Sequence, residues 1–541
     1  MPSEPPRRST RREVLAAALF MILGIFGSRV LGLVRVQVQS WWFTPEDAGA
    51  LRAAFIVPDL LFYIIAGGAL RSGFVPIFVR LLRAGEGDEA SQRQAWWLFS
   101  VLVTTITLFS IVIVALGVTF AGPMMAPFLG RWSGKGGFSP QAAALTVHLT
   151  RLLLPAQVFL LVGGVLSGTL DAMKRSRVTA AVPCLYNAAI ILAMYLLRQR
   201  CGVQSAVYGV LVGGFISNLA WQAWALAREG RPLGIRFKPA LNLSHPLVRE
   251  MAAMAAPIVL GLTVAEINLT LAKMANAAYG EAAVAWFDNA SRLARLPDGI
   301  FGAGLGIALF PYLSHLMAEG KEAEYHRQAM HVLRLAVICT VPLAAILACA
   351  PLPPVALLFG HGKYGPVDVA NTATMLAAQA IGIVPLTLSV VLTRVFYARG
   401  DSMTPLRCGV GAIAFGALAS LVSARFGGFA GPALAFSLAC WFNAAQLLLA
   451  YRAHGGLDSA SSLWRTALLG HAAAVVAGIA GWLSLKAPGG NLVHAALSTC
   501  VILAVYVILL WWWKLDELAT LMRLLKRRLR PSALGGAETE P

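Results

Sequence analysis

The sequence predicts an all-α integral membrane protein: about fourteen transmembrane helices, built as two six-helix lobes with a pseudo-two-fold relation plus two C-terminal helices. Three observations lead there. Of the 541 residues, 58% are hydrophobic and 13% charged, with a mean hydropathy of +0.70, whereas soluble domains run at about 45–50% apolar and about 25% charged. The apolar residues gather into fourteen segments, each near the length of about 20 residues that crosses a bilayer. Finally, the basic residues concentrate in every second loop between those segments.

The first segment, near 14–34, follows Arg7, Arg8, Arg11 and Arg12 and so resembles a signal peptide. It runs on past Ala18 without an A-x-A-like cleavage site and is interrupted by Arg29, so it reads as a retained first span. The second, near 50–70, opens with Arg52 and carries Pro58-Asp59 and Gly67-Gly68. Segments near 95–121, 145–170, 178–197 and 205–227 follow. Gly163, Gly164 and Gly168 lie within the apolar fourth, where glycines serve close helix packing rather than a phosphate loop. A tail of residues 1–13 and these six segments (14–227) form the N-lobe, and 228–249 is the loop between lobes.

The C-lobe, 250–451, has segments near 250–275, 284–316, 332–358, 371–393, 406–424 and 430–451. Residues 452–513 add segments near 466–485 and 492–513. The last ends in Trp511-Trp512-Trp513, an aromatic anchor at the membrane interface. Residues 514–541 are a basic tail. A faint echo supports two halves: Arg52, Pro58-Asp59, Gly67-Gly68 and Pro76 run parallel to Arg292, Pro297-Asp298, Gly302 and Pro311.

The formal net charge of +19 points toward nucleic acid only until its distribution is read. Thirty of the 44 Lys and Arg fall in the two termini and the loops after even-numbered segments (with Arg334 and Arg407 at the segment starts that follow), seven in the other loops, and the remaining seven within segments or at their ends. Basic loops mark the cytoplasmic side, so both termini are expected there, with no nucleic-acid partner. The cluster Arg523, Lys526, Arg527, Arg528 and Arg530 reads as a topology anchor against anionic membrane lipids. Seven widely spaced cysteines form no CxxC pair and read as small hydrophobes.

The ionisable residues inside segments carry the functional signal, since each costs roughly 2.5–3.5 kcal/mol on insertion scales and so faces a bundle interior or wet cavity. Chief among them are Arg29 and Arg35 in the first segment, Arg52 in the second, Glu266 and Lys273 in the seventh, and Arg292 and Arg295 in the eighth. Arginine exceeds acid, and guanidinium forks suit phosphate and diphosphate, so an anionic, phosphate-bearing substrate is expected. Each arginine has a plainer fate, pairing with an acid such as Glu266 or Asp288. Pro58, Gly68, Pro297, Gly299 and Gly302 loosen the arginine-bearing segments and are the expected hinges. No nucleotide-binding glycine motif, P-loop or HExxH occurs, so neither an enzyme nor a cofactor or metal site is expected.

Several stretches in order resemble the MurJ/MviN family of lipid II flippases, within the multidrug/oligosaccharidyl-lipid/polysaccharide exporter superfamily. They are Ser28–Arg35, Phe55–Leu61 with Gly68–Leu70 and Phe74–Pro76, Arg292–Gly302 with Pro311–Ser314, Arg394–Ala398 with Asp401-Ser402 and Thr404-Pro405, and Pro183 with Asn187. The resemblance implies two six-helix lobes that move lipid II, an undecaprenyl-diphosphate disaccharide-pentapeptide, from inner to outer leaflet of the bacterial inner membrane by alternating access. It implies that Arg29, Arg35 and Arg292 engage the diphosphate; Arg52 and Arg295 are further candidates. The chain departs from the family pattern where acids give way to Val36 and Gly49, and where basic residues give way to Phe62 and Tyr63. A flippase for another undecaprenyl-diphosphate-linked oligosaccharide, and a non-transporting scaffold for cell-wall synthesis proteins, are the alternative readings.

Overall fold

The structure is a computed structural model describing residues 11–63, 73–84, 88–230, 237–456, 460–515 and 517. Helix is the only regular structure among the described residues, and every one of the fourteen apolar segments is helical where described. Eight helices among these residues are long and apolar enough to cross a membrane, or ten if two bent pairs each count as one span. Apolar side chains cover their outsides: Leu468 and Trp511 are 72% and 74% exposed. A soluble helix would turn such residues inward.

Local chemistry starts the helices where they start. The hydroxyl of Thr44 accepts the Asp47 N–H at 3.2 Å, with Pro45 in the first turn and Glu46 and Asp47 facing the positive end of the dipole, which begins Pro45–Phe62. Asp88 accepts the Ala90 and Ser91 N–H groups at 3.0 and 3.2 Å to begin Glu89–Thr119. Ser139 with Pro140, and His245 with Pro246, do the same for Pro140–Leu153 and Pro246–Asn276.

Breaks in the apolar helices are repaired locally, as hydrocarbon surroundings require. Pro366–Ala380 and Ile383–Ala398 meet at a 46° bend. There the Ser437 hydroxyl donates to the Ala378 carbonyl at 2.8 Å, and Gly382 lies against Ser437. Pro140–Leu153 and Ala156–Ala172 meet at 41° across Pro155. Within straight stretches, hydroxyls such as Thr146, Thr150 and Thr340 donate to the carbonyl four residues back at 2.7–2.8 Å.

The chain divides into two compact units. The first comprises Met1–Asn289, Leu358–Val369 and Gly409–Ala435; the second comprises Ala290–Leu357, Ala370–Cys408 and Phe436–Pro541. One core of the first unit stacks Phe74, Phe78, Trp96 and Phe99 against Leu161 and Val165. Another packs Val38, Leu51, Leu149 and Ile190. Gly163 closes on Asn218 and Gly168 on Phe74, so these glycines are packing positions. The second unit has one large core running from Leu313 and Tyr325 through Val391 and Tyr451 to Ile502 and Tyr506. The cysteines are all free thiols; Cys408 and Cys440 are buried, but Cys500 is exposed rather than part of a core.

The chain beyond the last helix, Asn491–Trp512, is tied back into the second unit. Glu517, buried, pairs with Arg334 at 3.2 Å and accepts the Thr466 hydroxyl at 3.2 Å, joining helices Glu322–Cys349 and Ala460–Ser484. Glu517→Ala leaves Arg334 without this carboxylate. It is expected to lower stability by about 1–3 kcal/mol, seen as a lower thermal unfolding midpoint in detergent, while the Arg334→Met/Glu517→Leu double variant recovers part of the loss.

Candidate functional site

Arg29 and Arg35 lie on one uninterrupted helix, Arg11–Trp42. Its glycines do not interrupt it; Gly24 and Gly27 face Ala180 and Cys184 of Ser176–Cys201, and the Asn187 amide reaches the Ser28 carbonyl at 3.5 Å. Small residues at such a seam let two backbones approach. Arg29 is exposed and Arg35 half-buried. Arg35 and Asp59 both act electrostatically on the Tyr186 ring. Pro58 is buried inside Pro45–Phe62, which continues through it as a regular helix. Gly68 lies outside the described residues.

Arg52 is 5% exposed and belongs to a buried charge cluster. Its Nη1 pairs with Asp288 Oδ2 at 2.9 Å, and Lys273 Nζ pairs with Asp288 Oδ1 at 2.9 Å. Arg52 Nη2 also donates to Asn289 Oδ1 at 3.3 Å, and the Asn289 amide donates to the Tyr364 hydroxyl at 3.3 Å. One carboxylate thus serves two cations from helices Pro45–Phe62 and Pro246–Asn276, itself presented by Glu281–Ala294. Taking such charges out of water is repaid only by close, well-hydrogen-bonded geometry. Arg52 is therefore committed to a protein carboxylate, the plainer of the two fates open to it.

Around this cluster, the ends of the segments on the sparsely charged side are clasped together. Glu281 accepts the Ser139 hydroxyl and N–H at 2.8 and 3.2 Å. A Cβ at Gly49 would overlap the Glu281 carbonyl, and one at Gly130, where φ is +70°, would overlap that of Ala277. The Trp286 indole donates to Asp368 at 2.9 Å, the Lys363 N–H to the Trp41 carbonyl at 3.2 Å, and Lys135 to the Gly427 carbonyl at 2.9 Å. Arg425 donates to the Ser133 carbonyl at 3.3 Å. All of these residues belong to the first unit.

Arg29, Arg35 and Arg52 belong to the first unit, Arg292 and Arg295 to the second. Arg292 and Arg295 are half-buried and three apart, hence on one helix face. Just beyond, Pro297 is followed by a π-helical turn, Asp298–Gly302, before the helix resumes as Ala303–Ala318. Gly299 is half-buried and Gly302 buried. Proline cannot donate its share of the helical ladder, and π-turns inside helices are often found at functional sites.

Residues 46–501 match the protein family described as "Lipid II flippase MurJ". The chain belongs to this family. It is 28% identical over 513 residues to the lipid II flippase MurJ of Burkholderia cenocepacia, covering 92% of this chain and 96% of that one. It is also 28% identical over 530 residues to a probable lipid II flippase MurJ of Rhizobium tropici, covering 95% and 96%. Its fold matches a solved lipid II flippase MurJ in an inward closed conformation, with a TM-score of 0.74 at 18% identity over 92% of this chain and 99% of that one. An inward-facing multidrug resistance transporter of the MATE family shares the fold at a TM-score of 0.66, with 16% identity over 81% and 96%. This is a transporter family, and the helices described here are those of an integral membrane protein.

Within MurJ, the departure at Gly49 has a physical reason in this chain. No side chain fits there, because the Glu281 backbone occupies the place, and the nearest buried charge on that helix is the cation Arg52, less than one helical turn on. Sequence reasoning had Asp288 only as one possible partner and left Lys273 without a role. The signal was present: Arg52, Lys273 and Asp288 all fall near the sparsely charged ends of their segments, and so at similar depth. Asp288→Ala should be the most damaging single change in the cluster, leaving two buried cations without their carboxylate at a cost of about 3–5 kcal/mol. Arg52→Leu should cost less, since Lys273 still serves Asp288. Unfolding of the purified single and double variants in detergent checks this order, and equal losses for both single variants would refute it.

Proposed function

We propose that this chain moves lipid II, or a closely similar undecaprenyl-diphosphate-linked saccharide, from the inner to the outer leaflet of the bacterial inner membrane by alternating access. The family match along most of the chain is the observation that carries this reading. The excess of arginine over acid within its membrane segments supports a cationic central cavity. In this reading Arg29, Arg35 and Arg292 hold the diphosphate with bidentate, charge-assisted hydrogen bonds. Arg295 assists, and Arg52 reaches the headgroup only in states where its pair with Asp288 has opened.

Both termini and the basic loops face the cytoplasm, fourteen segments cross the membrane, and residues 14–227 and 250–451 act as the two lobes. The clasped ends around Arg52, Asp288 and Glu281 then form a closed outer gate. Transporters sharing the fold have been solved facing inward and outward, which supports alternation between two such states. Pro58, Gly68, Pro297, Gly299 and Gly302 are the points of flexure. A different lipid-linked oligosaccharide is the second reading, favoured by Val36, Gly49, Phe62 and Tyr63 standing where the family carries charge.

Expression of the chain in a host depleted of its own flippase should restore growth and the appearance of lipid II at the outer face. Arg292→Ala and Arg29→Ala should abolish rescue without loss of membrane-inserted protein. Failure of the wild-type chain would overturn the lipid II assignment, and full rescue by Arg292→Ala the role of that arginine. Cysteines introduced near either end should resist membrane-impermeant maleimide in intact cells; labelling there would reverse the orientation.

A further inference from the structure

Asp298 is an acid within the apolar eighth segment, at the first position of the π-turn that follows Pro297. Its carboxylate folds back on its own turn: a Cβ on Gly302 would overlap Oδ1. That oxygen is buried and accepts no hydrogen bond among the described residues. Beside it stands Thr387 of Ile383–Ala398, fully buried, with its methyl 3.6 Å from the same point at Gly302. The Thr387 hydroxyl is also without a hydrogen-bond partner, whereas Thr340 and Thr393 donate to the carbonyl four residues back. Asp298 Oδ1 and the Thr387 hydroxyl are thus two buried oxygens on side chains that both border Gly302, and neither has a hydrogen-bond partner.

We propose that Asp298, backed by the Thr387 hydroxyl, is a proton-binding site that adjusts how strongly the neighbouring arginine attracts an anionic headgroup. As a carboxylate Asp298 can only accept and as an acid it also carries a donor, while the Thr387 hydroxyl can donate to the one form or accept from the other. A charged carboxylate oxygen buried without a hydrogen bond is costly, and a proton removes the charge. Arg295, one turn earlier, acts electrostatically on Asp298 and compensates the deprotonated form. Protonation removes a negative charge one turn from Arg295, so the positive potential presented to a diphosphate rises.

The other groups around the site are few. Cys440, buried on Gly431–Ala453, feels both Asp298 and Arg295. Arg394 lies over Gly306, one turn further along. The Glu322–Cys349 helix, which also packs on the π-turn, brings the thiols Cys339 and Cys349 in its apolar stretch. One carboxylate and one hydroxyl are too few oxygens for a metal cation, and among the described residues no group of three metal-ligating side chains occurs. The ligand is therefore a proton.

This inference rests on the proposed diphosphate cargo, and its test has two arms that separate the two. In the first, infrared difference spectra of purified protein on acidification should show a carboxylic-acid carbonyl band that is lost in Asp298→Asn, shifted in Thr387→Val and present in Asp298→Glu. No band lost in Asp298→Asn overturns the proton site, whatever the cargo. In the second, undecaprenyl diphosphate in detergent is titrated in mildly alkaline and mildly acidic buffer. Relative to Asp298→Asn, wild-type binding should tighten by roughly tenfold on acidification, with Asp298→Glu restoring the dependence. Identical pH profiles for wild type and Asp298→Asn overturn the coupling to Arg295. Absence of binding in every variant speaks against the diphosphate cargo and overturns the coupling with it, while the infrared arm still decides the proton site.

Discussion

A single carboxylate, Asp288, takes one oxygen to Arg52 and the other to Lys273, and the clasped end of the first unit is organised around that arrangement. In a molecule surrounded by hydrocarbon, an unmatched charge cannot be left at depth, and a matched one holds its partners at fixed distance. The three helices that supply these side chains are thereby held in one register. Close backbone approaches at Gly49 and Gly130 follow from that register, as does the capture of Ser139 by Glu281. Removing the carboxylate takes from both cations the group that joins them.

The same constraint explains where the helices are irregular. Backbone groups freed by a break must be satisfied within the protein, and at the bend by Gly382 the Ser437 hydroxyl does this. After Pro297 the eighth segment passes through a π-turn before the helix resumes. The eighth segment concentrates the consequences: two arginines on one face, a proline, a π-turn and an acid within a dozen residues. In a membrane helix this costs stability, and it is tolerated where a polar, adjustable surface is needed.

Much of the fold was legible in order along the chain. Hydropathy marked each apolar segment because the free energy of leaving water is a property of each side chain taken singly. Helix starts at Pro45, Pro140 and Pro246 rest on equally local chemistry, since cap and proline act within one turn, but the sequence reading placed only the apolar segments beyond them. The family resemblance was legible because short signatures recur in fixed order. The site was legible only as a set of residue types: Arg29, Arg35, Arg52, Arg292 and Arg295 could be named, but a cation that binds a ligand and one already bound to a carboxylate look the same in a string of letters.

By itself, then, the sequence determined that this is a many-span helical membrane protein, and where along the chain its apolar segments lie. Each of these follows from transfer free energies and short-range backbone chemistry. Only the tertiary structure decided that Arg52 is spent on Asp288 and shared with Lys273, that Gly49 has no room for a side chain, and that Asp298 lies beside Thr387 without a hydrogen bond to Oδ1. Such contacts join residues tens to hundreds of positions apart, and which of them form depends on how helices pack, a quantity that no single residue carries.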